Sequence, residues 1–509
     1  MTEQRIGIID IGSNSIRLVI YERTAAGAHR VIDGSKRSAR LSEQIDEKGR
    51  LPETAIDELV DMLSHFRLIC AHHRAGHIRA IATAAIRNAV NRKHVLSRVE
   101  AETGLAVELL SGEEEAGYGF LGMINTMDVT DGFLIDIGGG STELSLFKDR
   151  TLVRSVSFPF GCVSLTRRFA AGGGFGDEQL RALVQHVERE AQREPWLSRS
   201  PGLPLIGVGG TVRALGKIHQ AHVKYPFDSF HNYEVASEDA DELYETIRRM
   251  PIGSRRKMPG LSKDRLDIIV PGLAILRTLF SAVRASRYVI CGSGLRDGLF
   301  YATRFPDRPI LDDVLAYSVG NLAALHPEAP RHHVAQVNRT AIQLFEALQD
   351  AFPFPERAKT WLDTASTLFR IGASIDYYDY RKHTFYLMVN SHLNGLSHRE
   401  TLLVAAIASY KNKSRVRQIA AAYKPMLSDA DAELICRLGL LLQLAVALDR
   451  SETQAIGRLT VRTDGGRLQL RAVRAEGTLA VERKEVESMA ADFKKTWGML
   501  PALLPPDYL

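Results

Sequence analysis

Two short stretches carry the residues best suited to chemistry. Asp10-Ile11-Gly12-Ser13-Asn14-Ser15 follows an apolar run at residues 6–9, and Asp136-Ile137-Gly138-Gly139-Gly140-Ser141-Thr142 follows another at 133–135. Each reads as a buried strand that ends in an acid and breaks into a tight turn of small residues. Such a turn aims backbone N–H groups and hydroxyls at phosphate oxygens, while the acid lies where a metal bridging those phosphates would sit. One copy is common in any α/β protein. Two copies suggest a duplicated fold whose half-sites face each other across a cleft. The expected phosphate-binding residues are Gly12, Ser13, Asn14 and Ser15 on one loop and Gly138, Gly139, Gly140, Ser141 and Thr142 on the other, with two plain structural turns as the alternative.

Other residues could complete such a site. Ser111 and Glu114 fit a capping box, in which each satisfies the other's backbone donor. The next residue, Glu115, then points about 100° round the helix and is free for other work. A carboxylate near a helix N-terminus is stabilised as the anion, as a general base requires. From the residues alone, an ordinary acidic first turn explains Glu115 more simply. Asp10 and Asp136 end buried strands, where an unpaired carboxylate is costly. A Mg²⁺ ion supported by Glu143 and water would resolve that cost, and so would a hydrogen-bonded turn. Gly207-Val208-Gly209-Gly210-Thr211 is a third strand–turn–helix junction, able to cap an anion or simply to connect two elements. Arg17 suits a phosphate or an acidic partner equally and is left outside the expected site.

The elements that must position these residues follow from length and pattern. A chain of 509 residues is too long for one core, and its 45% hydrophobic and 25% charged content is ordinary for folded domains. The net charge of +5 means solubility if spread evenly, or attraction of a polyanion if gathered in a cleft. The four cysteines lie far apart without a C-x-x-C pair, which predicts reduced thiols. Residues 1–5 lead straight into a strand, so no signal peptide is expected. The longest apolar stretches, such as 438–448, are about half the roughly 20 residues of a membrane span. The expectation is a cytoplasmic protein with no membrane and no nucleic-acid partner.

Strands and helices alternate through two α/β lobes, residues 1–125 and 126–305, each opening with a strand and an acid–glycine turn. Glycine then thins out and long helical patterns run over 306–455. Residues 456–509 alternate again around an Asp464-Gly465-Gly466 turn and close with a helix at about 484–497.

With these motifs the chain resembles the exopolyphosphatase and guanosine pentaphosphate phosphohydrolase family, of the actin, sugar-kinase and heat-shock-chaperone superfamily. The likeness is carried by D-I-G-S-N-S-I-R-L at 10–18, A-T-A-A-I-R-N-A at 82–89, S-G-E-E-E-A at 111–116 and D-I-G-G-G-S-T-E-L at 136–144. G-V-G-G-T at 207–211 and V-P-G-L-A-I-L at 270–276 add to it. The first and fourth motifs together are the specific ones, and the length suits the long, four-domain form. The resemblance implies two actin-like (ribonuclease H-like) lobes, an all-helical degenerate His-Asp-type domain and a small α+β C-terminal domain. It implies Glu115 as catalytic base, reversing the plainer reading above. Asp136 and Glu143 fall where the family places acids of metal binding and catalysis, and Arg87 and Arg265 match arginines of the phosphate path; Asp10 as a metal ligand and the Gly209 turn as a phosphate cap rest on the residue reading above. In the helical domain, residues 368–372 place Phe369 and Arg370 where metal ligands would be, so no second metal centre is expected there. His332, His333, His383 and His398 read as structural or surface residues.

The expected activity is release of terminal orthophosphate from inorganic polyphosphate, with Mg²⁺ or another divalent ion and a homodimeric assembly. Guanosine pentaphosphate 5'-phosphohydrolase is the nearest alternative. A sugar kinase fits the Glu115 motif less well, and a non-catalytic polyphosphate or nucleotide sensor is the alternative from another class. The basic run at 411–417 is either a solvated helix end or an extension of a polyanion track.

Overall fold

In the computed structural model, residues 4–170, 175–475 and 478–505 are described; residues 1–3, part of the signal-peptide reading, lie outside them. The chain forms two units, residues 1–314 and 315–509.

The first unit contains two sheets. Strands β1 (Gln4–Ile11), β2 (Ser15–Arg23), β3 (His29–Ser38), β4 (His77–Ala82) and β5 (Val107–Leu109) form the first, in the order β3-β2-β1-β4-β5. Strands β6 (Gly132–Ile137), β7 (Thr142–Lys148), β8 (Thr151–Phe158), β9 (Leu205–Val208), β10 (Tyr233–Val235) and β11 (Tyr288–Ile290) form the second. Its order β10-β11-β9-β6-β7-β8, read from the other side, repeats the first, with β10 added at the edge. In both lobes an antiparallel three-strand meander continues into parallel strands reached through helices. This is the duplication that the paired turns suggested.

The central strands are buried on both faces, as their continuous apolar runs require. Ile8, Ile9 and Ile11 of β1 are fully buried, as are Phe133 and Ile135 of β6. The helix Glu53–His72 covers the first sheet with a buried stripe at Ile56, Leu59, Val60, Leu63 and Phe66. That spacing is the signature of one helical face. Strand β3, HRVIDGSKRS, is mostly polar and half-exposed, as suits a sheet edge. Its polar composition hid it from pattern reading.

Two helices carry site residues into the region between the lobes. Gly112–Ile124 starts with the expected capping box, Ser111 Oγ accepting from Glu114 N at 3.1 Å and Glu114 Oε2 from Ser111 N at 2.7 Å. It crosses Leu295–Arg304 so closely that a Cβ at Gly122 would lie 3.0 Å from Gly298 N. Side chains there would push the helices apart.

The first unit continues to Val314, so residues 306–314 belong with the lobes and not, as expected, with the helical region. The cause is Asn125, whose Nδ2 donates to Pro309 O (2.6 Å) while its Oδ1 accepts from Leu311 N (2.8 Å). The second unit packs its helices together with a sheet of β12 (Ile456–Asp464), β13 (Arg467–Ala475) and β14 (Leu500–Leu504). Strand β14, parallel to β13, follows the closing helix Ala480–Trp497 and was not foreseen from sequence. His333 is not a lone structural histidine: its Nδ1 meets Asp449 Oδ2 at 2.8 Å, both 2% exposed. Phe369 packs edge-on to that imidazole and Arg370 stacks over Tyr377 and Tyr380. No group of three or more metal-ligating side chains occurs among the described residues, and no helix among them is long and apolar enough to cross a membrane.

Candidate active site

The two acid–glycine turns are matching β-hairpin connections. Gly12 N donates to Ser15 O at 3.3 Å in the first, and Gly138 N to Ser141 O at 3.0 Å in the second. Pairing Asp10 with Arg17 and Asp136 with Glu143 places each acid just below its loop. The loops touch: a Cβ at Gly139 would stand 3.1 Å from Ser13 Cβ, and one at Gly140 would stand 3.0 Å from Ser13 Oγ. Glycine lets the loops approach this closely without either having to give way.

Between them lies a cavity of about 140 Å³. Its lining includes Asp10, Gly12, Ser13, Asn14, Ser15, Glu115, Asp136, Gly138, Gly139, Ser141, Gly209 and Arg265, all expected site residues. Four expected residues lie outside the lining. Gly140 packs against Ser13 and Ser42. Thr142 is fully buried, its hydroxyl donating to Phe160 O at 2.8 Å. Arg87 stands behind Glu115, its Nη1 donating to Glu115 Oε2 and to Leu110 O, each at 2.9 Å. Glu143 is 3% exposed and accepts from Ser157 Oγ at 2.8 Å.

Arg17, set aside on sequence grounds, lines the cavity, and so do Arg213 and Arg296, which were missed. Arg213 is held by its Nε donating to Gly209 O at 2.9 Å. Arg296 lies in the first turn of its helix, where Asp297 Oδ2 accepts from Gly294 N at 2.9 Å. Tyr21 on β2 donates to the other oxygen of Asp297 at 3.1 Å, tying that helix to the first lobe. A signal for Arg296 did exist: Gly292-Ser293-Gly294-Leu295-Arg296 follows the apolar strand β11, one more strand that breaks into a small-residue turn.

Burial governs the electrostatics. It raises the Glu115 carboxyl to about 7, against the opposing pull of Arg87. It raises Asp136 to about 6, opposed first by Arg213. Asp10 is also raised by burial, with Arg296 and Arg17 opposing. Glu143 is pushed well up by burial, then by Glu115 and Asp136. Burial lowers Arg17 to about 10, and the neighbouring Arg296 and Arg213 add to that effect. Four arginines therefore face three carboxylates, one of them close to neutrality. The cavity favours anions.

A divalent cation can be tested against these groups. Asn14 Oδ1 is buried without a donor, and the Asp10 and Asp136 carboxylates line the same cavity. Two carboxylates, with substrate oxygens and water for the remaining positions, are the usual donor set for Mg²⁺. Glu143, bonded to Ser157, pairs with Asp136 in the register of the two strands.

Two lobes of repeated topology closing on an arginine-rich, glycine-lined cavity define an actin-like phosphate-handling protein. The chain belongs to the Ppx/GppA phosphatase family, whose family model matches residues 19–304; the model for Ppx/GppA phosphatase domain III matches residues 317–483. Among similar proteins is a guanosine-5'-triphosphate,3'-diphosphate pyrophosphatase of Vibrio vulnificus, 28% identical over 91% of this chain and 90% of that protein. Another of the same description, from Aeromonas hydrophila, is 27% identical over 91% of each. The crystal structure of the Aquifex aeolicus Ppx/GppA family member matches 60% of this chain and 99% of its own, with a TM-score of 0.53 and 25% identity. An exopolyphosphatase from Cytophaga hutchinsonii, with a TM-score of 0.56 and 23% identity over 60% of this chain and 99% of its own, shares the fold.

Proposed function

We propose that this phosphatase is an exopolyphosphatase, releasing orthophosphate from the end of inorganic polyphosphate. The observation that carries this reading is the cavity lining: four arginines and two hairpin loops of small residues, with no aromatic side chain among the described lining residues to stack on a base. What it can grip is a chain of phosphates.

In this reading the loop N–H groups and hydroxyls hold the terminal phosphoryl group, and Arg17, Arg213, Arg265 and Arg296 neutralise it and the next phosphates. Glu115, with a pKa near 7, takes a proton from the attacking water at neutral pH. Asp10 and Asp136 would hold Mg²⁺, which supplies charge neutralisation and orients phosphate oxygens when bound. As Arg87 turns from Glu115 toward the incoming phosphate, the carboxylate is freed for its proton.

A second reading, hydrolysis of guanosine pentaphosphate at its 5' end, is favoured by the description of the Vibrio and Aeromonas relatives. Phosphate release from long polyphosphate, tripolyphosphate and guanosine pentaphosphate, measured side by side with Mg²⁺, decides between them. Polyphosphate is expected to give the highest kcat/KM; a clear preference for the nucleotide would replace the first reading with the second. Cytoplasmic location and homodimeric assembly belong to the same proposal.

A further inference from the structure

Residues 36–42, which no sequence motif singled out, touch both loops and the segment that carries Arg265. Ala39 N and Arg40 N both donate to Asn14 O, at 3.2 and 3.0 Å, and Ser42 N donates to Ser13 O at 3.2 Å. These bonds hold Arg40 in the left-handed backbone region, φ 44°, where non-glycine residues are uncommon. From there its side chain crosses to the second lobe. Nη1 meets Asp267 Oδ2 at 2.9 Å, and Nη2 reaches Asp267 Oδ1 at 3.3 Å and Asp264 O at 3.5 Å. Lys36 pairs with the Asp264 carboxylate. Arg40 also meets Glu43 at 3.0 Å within its own lobe. The two acids held from the first lobe thus flank Arg265 in sequence. Arg265 enters the cavity over Gly210, where any side chain would overlap its guanidinium.

We propose that Arg40 is a positioning residue that couples seating of the first phosphate loop to placement of Arg265. Arg40 clasps the turn Lys263–Arg265 and the following Asp267, so that Arg265 is held against the bound phosphates. Without the clasp, Asp267 loses its partner and Arg265 is less firmly fixed. The clasp is half-exposed, so salt weakens it. It rests on the reading of the cavity as a phosphate site.

The test is a mutant cycle read by calorimetric binding of tripolyphosphate, with Mg²⁺ withheld, to full-length chain carrying Glu115→Gln, which slows turnover. Arg40→Gln and Asp267→Asn should each weaken binding about 3- to 10-fold, and the double variant no further than the weaker-binding single. In an Arg265→Gln background, Arg40→Gln should add less than about twofold. The charge exchange Arg40→Asp with Asp267→Arg should recover part of the loss, which a merely structural role for Arg40 would not. Independent, multiplying losses from Arg40→Gln and Arg265→Gln, or unaltered binding in Arg40→Gln, would overturn the clasp while leaving the hydrolase reading intact. If the otherwise unaltered chain releases no phosphate from any substrate but the coupling appears, the hydrolase reading fails and the clasp stands.

Discussion

Arg87 Nη1 lies 2.9 Å from Glu115 Oε2, so the residue expected to bind phosphate is paired, without substrate, to the residue expected to act as base. The two are 20% and 14% exposed, dry enough for the pair to matter. Each group therefore reports on the other, and the pH profile is where this shows.

Glu115 must be ionised to accept a proton, and its carboxyl sits at about 7. Turnover should rise with pH through that value and level off above it. Glu115→Gln should lower kcat by roughly 10²- to 10⁴-fold and abolish that limb, with polyphosphate binding kept. Steady-state rates between pH 5.5 and 9 test both; a variant of near-normal rate would remove Glu115 from the mechanism.

Arg87 is the main influence opposing the raised Glu115 pKa. Arg87→Gln should therefore move the rising limb to higher pH. It should also raise KM, because a bidentate phosphate partner is lost. An unmoved limb would mean that the contact has no hold on the base.

Buried Asp136, raised to about 6, should penalise the folded state once ionised. With a folded pKa above the unfolded value, the stabilising contribution is full below the unfolded pKa and is lost as pH rises through about 6. With chelator present, Asp136→Asn should raise Tm at pH 8 relative to the unaltered chain and have little effect at pH 4.5. With Mg²⁺, if Asp136 holds the ion, the unaltered chain should regain Tm and the variant should not. Thermal scans under the four conditions check this.

Gly298→Ala tests the helix crossing that serves both sides of the site. The new methyl would collide with the backbone at Tyr118 and lie 3.0 Å from Gly122 N. A loss of about 1–3 kcal/mol is expected. Activity should fall further than stability predicts, because the two helices carry Glu115 and Arg296. Denaturant unfolding and rates measured on one preparation separate the two effects.

Much of this molecule is legible in its sequence because the relevant physics is local. A strand buried on both faces must be apolar, so Ile8, Ile9 and Phe133 announce β1 and β6; a turn that exposes N–H groups needs small residues, so both loops stand out. The Ser111–Glu114 capping box closes within one helical turn, and it formed as read. What depends on distant partners was silent. Arg17 and Arg213 resemble surface arginines until the fold gathers them round one cavity. Polar β3 becomes a strand only because β2 offers it an edge. The His333–Asp449 pair joins residues 116 apart in the chain, and no short pattern records it. Local sequence thus determined the strands, turns and caps; the tertiary structure alone decided which charges share a buried space, because burial and Coulomb interaction depend on distance through space and not along the chain.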